Sequence, residues 1–185
     1  EAISRDKSTE TQSMIFNSLT YILLLIFVVF FYWILPYRAR LLLIFFSSLT
    51  FYGFWRIEFL PVLLLSTIID WLVAQNMHGR SQRLRFYLLL TSLSVNLGLL
   101  FYFKYLIFFA ENTIGFANLL GLEIDQIALK IILPLGISFY TFQTISYTID
   151  VYRRFIEPER DFVLYACYVT FFPQLVAGPV LRAGE

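Results

Sequence analysis

Long apolar runs, closed by prolines, glycines or basic clusters, divide the chain from residue 14 onward. A membrane-crossing helix needs about 20 mostly apolar residues. Phe16 to Leu35 meets that length and ends at Pro36. Leu41 to Trp55 is shorter and closes on Phe51-Tyr-Gly-Phe-Trp55, aromatics that favour the headgroup level. Ile57 to Val73 follows after Arg56 alone, with Pro61 near its start, so these two segments are expected to form a tight helical hairpin. Phe86 to Phe103, Ile131 to Tyr152 and Phe162 to Val176 are further candidate spans, the last ended by Gly178-Pro179. Tyr105 to Leu122 contains Glu111, Asn112, Gly115, Asn118 and Gly121 and reads as broken, interfacial or partly re-entrant. The pattern predicts an all-α polytopic transmembrane helix bundle of roughly six membrane helices plus that broken or interfacial segment.

Composition supports the pattern. The 185 residues are 59% hydrophobic and 19% aromatic, above the roughly half-apolar usage of soluble domains. A net charge of +1 gives no sign of a nucleic-acid partner, and the single Cys167 rules out an internal disulfide or a cysteine-based zinc site within the chain. Residues 1–13 are polar and unpatterned and read as a disordered lead or tag. Residues 14–185 read as one membrane domain, without an internal repeat or a dividing linker, and its close on Leu181-Arg-Ala-Gly-Glu185 suggests a truncated one.

Charge placement sets the expected orientation. Arg38 and Arg40 follow the first span, Arg80, Arg83 and Arg85 the third, and Arg153, Arg154 and Arg160 the Ile131 to Tyr152 span. If every span crosses once and Tyr105 to Leu122 does not, all three clusters share one side. By the positive-inside rule that side is the cytoplasm and the amino terminus lies outside. A multi-pass protein of the bacterial inner membrane, with the lipid bilayer as its first partner, is the expectation.

The segment Ile132 to Arg154 is apolar enough for a membrane yet carries Ser138, Thr141, Gln143, Thr144, Ser146, Thr148 and Asp150. Lipid tails satisfy none of these groups, so the helix must face protein or water-filled space. At about 100° per residue, Gln143, Ser146 and Asp150 share a face. Ser138, Thr141, Thr144, Thr148 and Tyr152 form a second stripe, and Tyr140 and Tyr147 stand between the two. Phe142, Ile145 and Ile149 make the one clean apolar strip. The candidate cavity-lining residues are Tyr140, Gln143, Thr144, Ser146, Tyr147, Asp150, Arg153 and, from the second break at Phe172-Pro173-Gln174, Gln174.

Each has a plainer reading. Ser and Thr in membrane helices bond back to the previous turn or join helices. Asp150 is either a structural ion pair or helix-end anchor, or it borders with Arg153 the mouth of a tunnel for an anionic donor. Gln174 is either pocket wall or part of an ordinary proline kink. Leu133-Pro-Leu-Gly136 is expected to open the polar helix, with Pro134 in its first turn and Gly136 admitting another backbone. Asp70 is expected to pair with Arg80 or Arg83, and Ser92, Ser94 and Asn96 to join helices. His78 reads as a solvated loop residue, Lys104 as snorkelling and Cys167 as packing. No G-x-S-x-G, H-E-x-x-H or P-loop pattern is present, and no metal site is expected.

Two stretches carry a family likeness. Leu133-Pro-Leu-Gly-Ile-Ser-Phe-Tyr-Thr-Phe-Gln-Thr-Ile-Ser-Tyr-Thr-Ile-Asp-Val-Tyr-Arg153 and Phe171-Phe-Pro-Gln-Leu-Val-Ala-Gly-Pro179 closely resemble the membrane-bound O-acyltransferases, in the branch of the bacterial alginate O-acetyltransferases. Met14-Ile-Phe-Asn-Ser18 and Phe51-Tyr-Gly-Phe-Trp55 also match the way those proteins begin. The likeness runs from Met14 to Glu185. It implies an integral enzyme that moves an acetyl group from a cytoplasmic donor, acetyl-CoA being one candidate, across the membrane. The implied acceptor is an extracytoplasmic polysaccharide such as alginate, or a partner acetyltransferase protein; no bound cofactor is implied. The resemblance also places the family's essential His in a later Trp-His-Gly-type segment. Nothing in this chain matches it, and the role does not transfer to His78, so the chain alone is expected to be inactive. A transporter or channel component and a non-catalytic scaffold for a partner acyltransferase are the alternatives.

Overall fold

The computed structural model of the chain describes residues 19–105, 108–109, 112–113 and 134–177. The expectations for residues 1–13 and for most of Tyr105 to Leu122 lie outside the described residues.

Among the described residues the fold is helical, with no strand. The elements are α1 (Leu19–Ile34), α2 (Tyr37–Arg56), a 3₁₀ turn (Ile57–Phe59), α3 (Leu60–Met77) and α4 (Gln82–Leu100), which runs on into a π-helical turn (Phe101–Tyr105). After these come α5 (Ile137–Arg153), α6 (Phe162–Thr170) and the short α7 (Phe172–Ala177).

The breaks have local causes. Pro36, extended at φ −70° and ψ 160°, separates α1 from α2. Arg56 is extended at φ −162° and ψ 111°, so the chain turns there between α2 and α3, where the sequence placed its break. Pro61 sits at the start of α3, where its missing N–H has no partner to lose. Asp161 caps α6, its carboxylate accepting from the Val163 N–H at 2.9 Å and the Leu164 N–H at 3.4 Å. Pro134 lies in a turn ahead of α5 rather than in its first turn; Gly136 is the residue before the helix, in the left-handed region at φ 70°.

Side-chain pairings fix the directions. Tyr21 meets Phe51 at 5.8 Å while Arg40 lies 5.1 Å over the Tyr32 ring, so α1 and α2 are antiparallel. Phe59 meets Phe103 at 5.7 Å while Asp70 meets Ser92 at 2.6 Å, so α3 and α4 are antiparallel. Arg85 reaches Val151 at 2.8 Å while Asn96 reaches Thr144 at 3.2 Å, so α4 and α5 are antiparallel. Gln143 pairs with Tyr168, and Tyr147 with Tyr165, so α5 and α6 are antiparallel too. Along α2 and α6 the partners advance together: Arg38 with Asp161, Leu41 with Cys167, Ser48 with Phe172. Those two helices are parallel.

Consequently the three basic clusters meet at one end. Arg38 pairs with Asp161 at 3.0 Å, the Trp71 indole donates to the Glu159 carbonyl at 2.8 Å, and Gln75 donates to the same carbonyl. The chain leaves α4 and re-enters α5 at the opposite end.

Two helical stretches, Tyr37–Met77 and Gln82–Tyr105, are long and apolar enough to cross a membrane. Only 33% and 17% of their most apolar windows are buried within the chain. Large apolar side chains cover the outside, among them Trp33 at 75% exposure and Leu19 at 72%. A soluble monomer rarely exposes such continuous apolar area, whereas lipid or further protein accommodates it.

Candidate functional site

The interior holds a polar seam that no single helix could present alone. Asp70 on α3 is fully buried. The Ser92 hydroxyl donates to its Oδ1 at 2.6 Å, and the Asn96 side-chain amide faces both carboxylate oxygens at 2.8 Å. That amide also lies 3.0 Å from the Ser92 carbonyl, so two hydrogens serve three acceptors. The Thr144 hydroxyl reaches Asn96 Oδ1 at 3.2 Å, and Thr148 lies 3.4 Å from Ser92. Asp70 therefore ties α3 to α4, and Asn96 and Ser92 tie α4 to α5. The expected ion pair of Asp70 with Arg80 or Arg83 is not what forms: both arginines are exposed in the loop and at the start of α4, while Asp70 points inward to neutral donors. Among the described residues, Arg38 and Asp161 form the ion pair. A carboxylate among neutral partners in a low-dielectric interior is expensive, and the Ser92 and Asn96 donors offset part of that cost.

A second cluster joins α5 to the broken end of the chain. Gln143, 2% exposed, donates from Nε2 to the Tyr168 carbonyl at 2.7 Å and accepts from the Gln174 amide at 3.2 Å. Gly136 explains why these elements close up. A Cβ there would sit 2.8 Å from the Leu175 carbonyl oxygen, and the left-handed backbone favours glycine independently. Pro173 falls in the first turn of α7, after the chain breaks at Phe171.

The polar helix is oriented by these contacts. Tyr140, Thr141, Gln143, Thr144, Tyr147 and Thr148 are buried, Ser138, Ser146, Asp150 and Tyr152 are half-buried, and Arg153 is exposed. Phe142 faces outward and Ile145 and Ile149 are half-buried, so the clean apolar strip lies on the outer side. The candidates thus divide: Tyr140, Gln143, Thr144 and Tyr147 sit in the packing, with Gln174 against Gln143, while Ser146 and Asp150 are half-buried and Arg153 is exposed. Ser94 is exposed and joins no buried contact, unlike Ser92 and Asn96. Among the described residues, the hydroxyls of Tyr52, Tyr140, Tyr165 and Thr141 are buried without a hydrogen-bond partner, an uncommon arrangement that leaves a local supply of unspent donors. Asp70 and Arg85 are the buried charges that sequence reasoning undervalued. For Asp70 the signal was position, a charge inside an apolar run, whereas Arg85 stands at the edge of a polar loop and carried no such signal.

An apolar-surfaced helical bundle with a buried polar seam of Asp, Asn, Gln, Ser and Thr suits a membrane protein. Known proteins narrow that class. A protein named probable alginate O-acetylase AlgI from Azotobacter vinelandii is 38% identical over 154 residues, 82% of this chain and 30% of the relative. Its namesake in Pseudomonas syringae pv. tomato is 37% identical over 154 residues, 82% of this chain and 29% of the relative. A peptidoglycan O-acetyltransferase of Helicobacter pylori is 34% identical over 165 residues, 75% of this chain and 30% of the relative. Over most of its length the chain is thus similar to proteins named as O-acetylating enzymes of alginate and peptidoglycan, and it spans about a third of the length of the curated relatives it matches. No family model and no solved structure matches it.

Proposed function

We propose that the chain is part of an O-acetyltransferase of the bacterial cytoplasmic membrane, which moves an acetyl group from a cytoplasmic donor to an extracytoplasmic polysaccharide. The similarity to alginate and peptidoglycan O-acetyltransferases over most of the chain carries this reading. Six spans, α1 to α6 with α7 completing the last, and an amino terminus outside fit the alternating helix directions and the gathering of arginines at one end. Acetyl-CoA is the proposed donor, and the acceptor is the glycan or a partner acetyltransferase protein.

In this reading the buried seam holds α3, α4 and α5 in register, and the Gln143–Gln174 contact fixes the broken end beside them. The unspent hydroxyls of Tyr52 and Tyr140 are donors suited to an acyl carbonyl or an ordered water. Expression of the full reading frame in a host deleted for its own acetyltransferase tests the function. Ester-linked acetate should appear on the secreted glycan. Normal membrane levels with no glycan acetate would overturn the proposal, and a transport defect in its place would favour a channel or transporter.

A further inference from the structure

The end of the bundle that gathers the arginines contains a cavity of about 370 Å³, walled by Met77, His78, Arg85, Arg154, Glu157 and Pro158 among others. It lies between the loop after α3 and the loop after α5, and it does not include the polar seam. Arg85 is only 4% exposed although it sits in the first turn of α4, an unfavourable place for a cation beside a helix N-terminus. Its Nη2 donates to the Val151 carbonyl at 2.8 Å and the Tyr152 carbonyl at 2.5 Å, the last turn of α5, where a cation is favoured. The guanidinium also lies 5.7 Å from the Tyr152 ring centroid, and Gln82 donates to the Tyr152 hydroxyl at 2.8 Å, which holds that ring in place. Two neutral carbonyls do not compensate the charge, and among the described residues the buried Nε–H has no partner.

The second basic wall residue is placed by the backbone. Arg154 ends α5 in the left-handed region at φ 62°, held by its N–H donating to the Val151 carbonyl at 3.1 Å. His78, at the end of α3, supplies further ring nitrogens, and Glu157 is the one acidic group among the named wall residues. Leaving His78 aside, two arginines against one glutamate give the wall a single net positive charge. The volume lies at the lower end of the roughly 300–1,000 Å³ typical of small-molecule sites, larger than a bare ion needs.

The geometry points to a binding site for a phosphate ester at this end of the bundle, with Arg85 as the buried anchor and Arg154 as the second donor. A guanidinium pair around one phosphate gives charge-assisted, fork-shaped recognition. The chemistry is shared by a soluble phosphate ester and by a phospholipid headgroup, and the site does not depend on the acetyl-transfer reading.

The test uses the full-length protein in a maltoside detergent, which carries no phosphate. Glycerol 3-phosphate serves as the soluble probe and phosphatidylglycerol, added to the micelles, as the lipid probe; thermal unfolding and titration calorimetry report binding. Arg154→Asn keeps a residue that tolerates the left-handed backbone and should weaken binding roughly tenfold. Glu157→Gln should strengthen it, and Arg85→Lys, which keeps the charge but loses the fork, should weaken it most. Binding of the soluble probe alone assigns a free ligand, and binding of the lipid alone assigns a headgroup. Binding of neither at millimolar concentration, or affinities unchanged in Arg154→Asn and Glu157→Gln, would overturn the site.

Discussion

Asp70 and Arg85 are both charged residues withdrawn into the protein, and their surroundings differ in a way that separates structure from binding capacity. Asp70 lies in mid-bundle, with Ser92 and Asn96 donating to both carboxylate oxygens. Ser92, Asn96 and Thr144 are engaged with one another and with Asp70, so the cluster pins three helices. Arg85 lies at the end of the bundle, where two carbonyls take one nitrogen and the Nε–H has no partner. A saturated buried charge specifies register, whereas an unsaturated one beside a cavity can recognise an anion.

The largest predicted effect belongs to Asp70. Asp70→Leu should destabilise the protein by about 2–4 kcal/mol, because the Ser92 hydroxyl loses its acceptor in the interior and the Asn96 amide keeps only the Ser92 carbonyl. Asp70→Asn keeps the shape and should lose less. Thermal unfolding in detergent would measure both, and a wild-type melting profile for Asp70→Leu would remove the pinning role.

Gly136→Ala comes next, at about 1–3 kcal/mol, from a left-handed backbone and a Cβ directed at the Leu175 carbonyl. The same substitution should push α7 away from Gln143, detectable as increased proteolysis or amide exchange around Leu175. Gln143→Leu should cost about 1–3 kcal/mol by removing the hydrogen bond to the Tyr168 carbonyl and the contact with the Gln174 amide. If the proposed acetyl transfer is correct, it should also lower glycan acetate at equal membrane levels. Asp150→Asn, away from that contact, should lower it less. Undiminished acetate in both variants would remove these side chains from any essential part in transfer.

The smallest effect contrasts with all of these. Arg38→Ala breaks the ion pair with Asp161, but the arginine side chain is 83% exposed, and solvent screening limits the loss to below about 1 kcal/mol. Asp161→Ala should cost more than Arg38→Ala, since it also removes the cap of α6. Equal losses in the two variants would show that the cap contributes nothing measurable.

Much of the fold was legible in sequence because apolar run length and chain-breaking residues act locally. Pro36, Arg56 with Pro61, and Phe171 with Pro173 mark observed breaks. The hydroxyls of the polar helix also announced that α5 is interior, and Gly136 announced a close backbone approach. The direction in which Asp70 points was not legible. Sequence proximity suggested the arginines after α3, but Asp70 lies on the face that meets α4 and α5, and its partners are 22 and 26 residues away. Arg85 was read as one of a basic cluster, although burial distinguishes it from Arg80 and Arg83.

The sequence by itself determined that this protein is a set of apolar helices with a polar one among them, and that its arginines recur after alternate helices. Those features follow from hydration and backbone propensity within a few turns of chain. Only the tertiary structure decided which polar groups exhaust one another and which remain unspent. That outcome depends on the relative rotation and register of helices distant in sequence, where a shift of one residue turns a side chain by about 100° and replaces its partner.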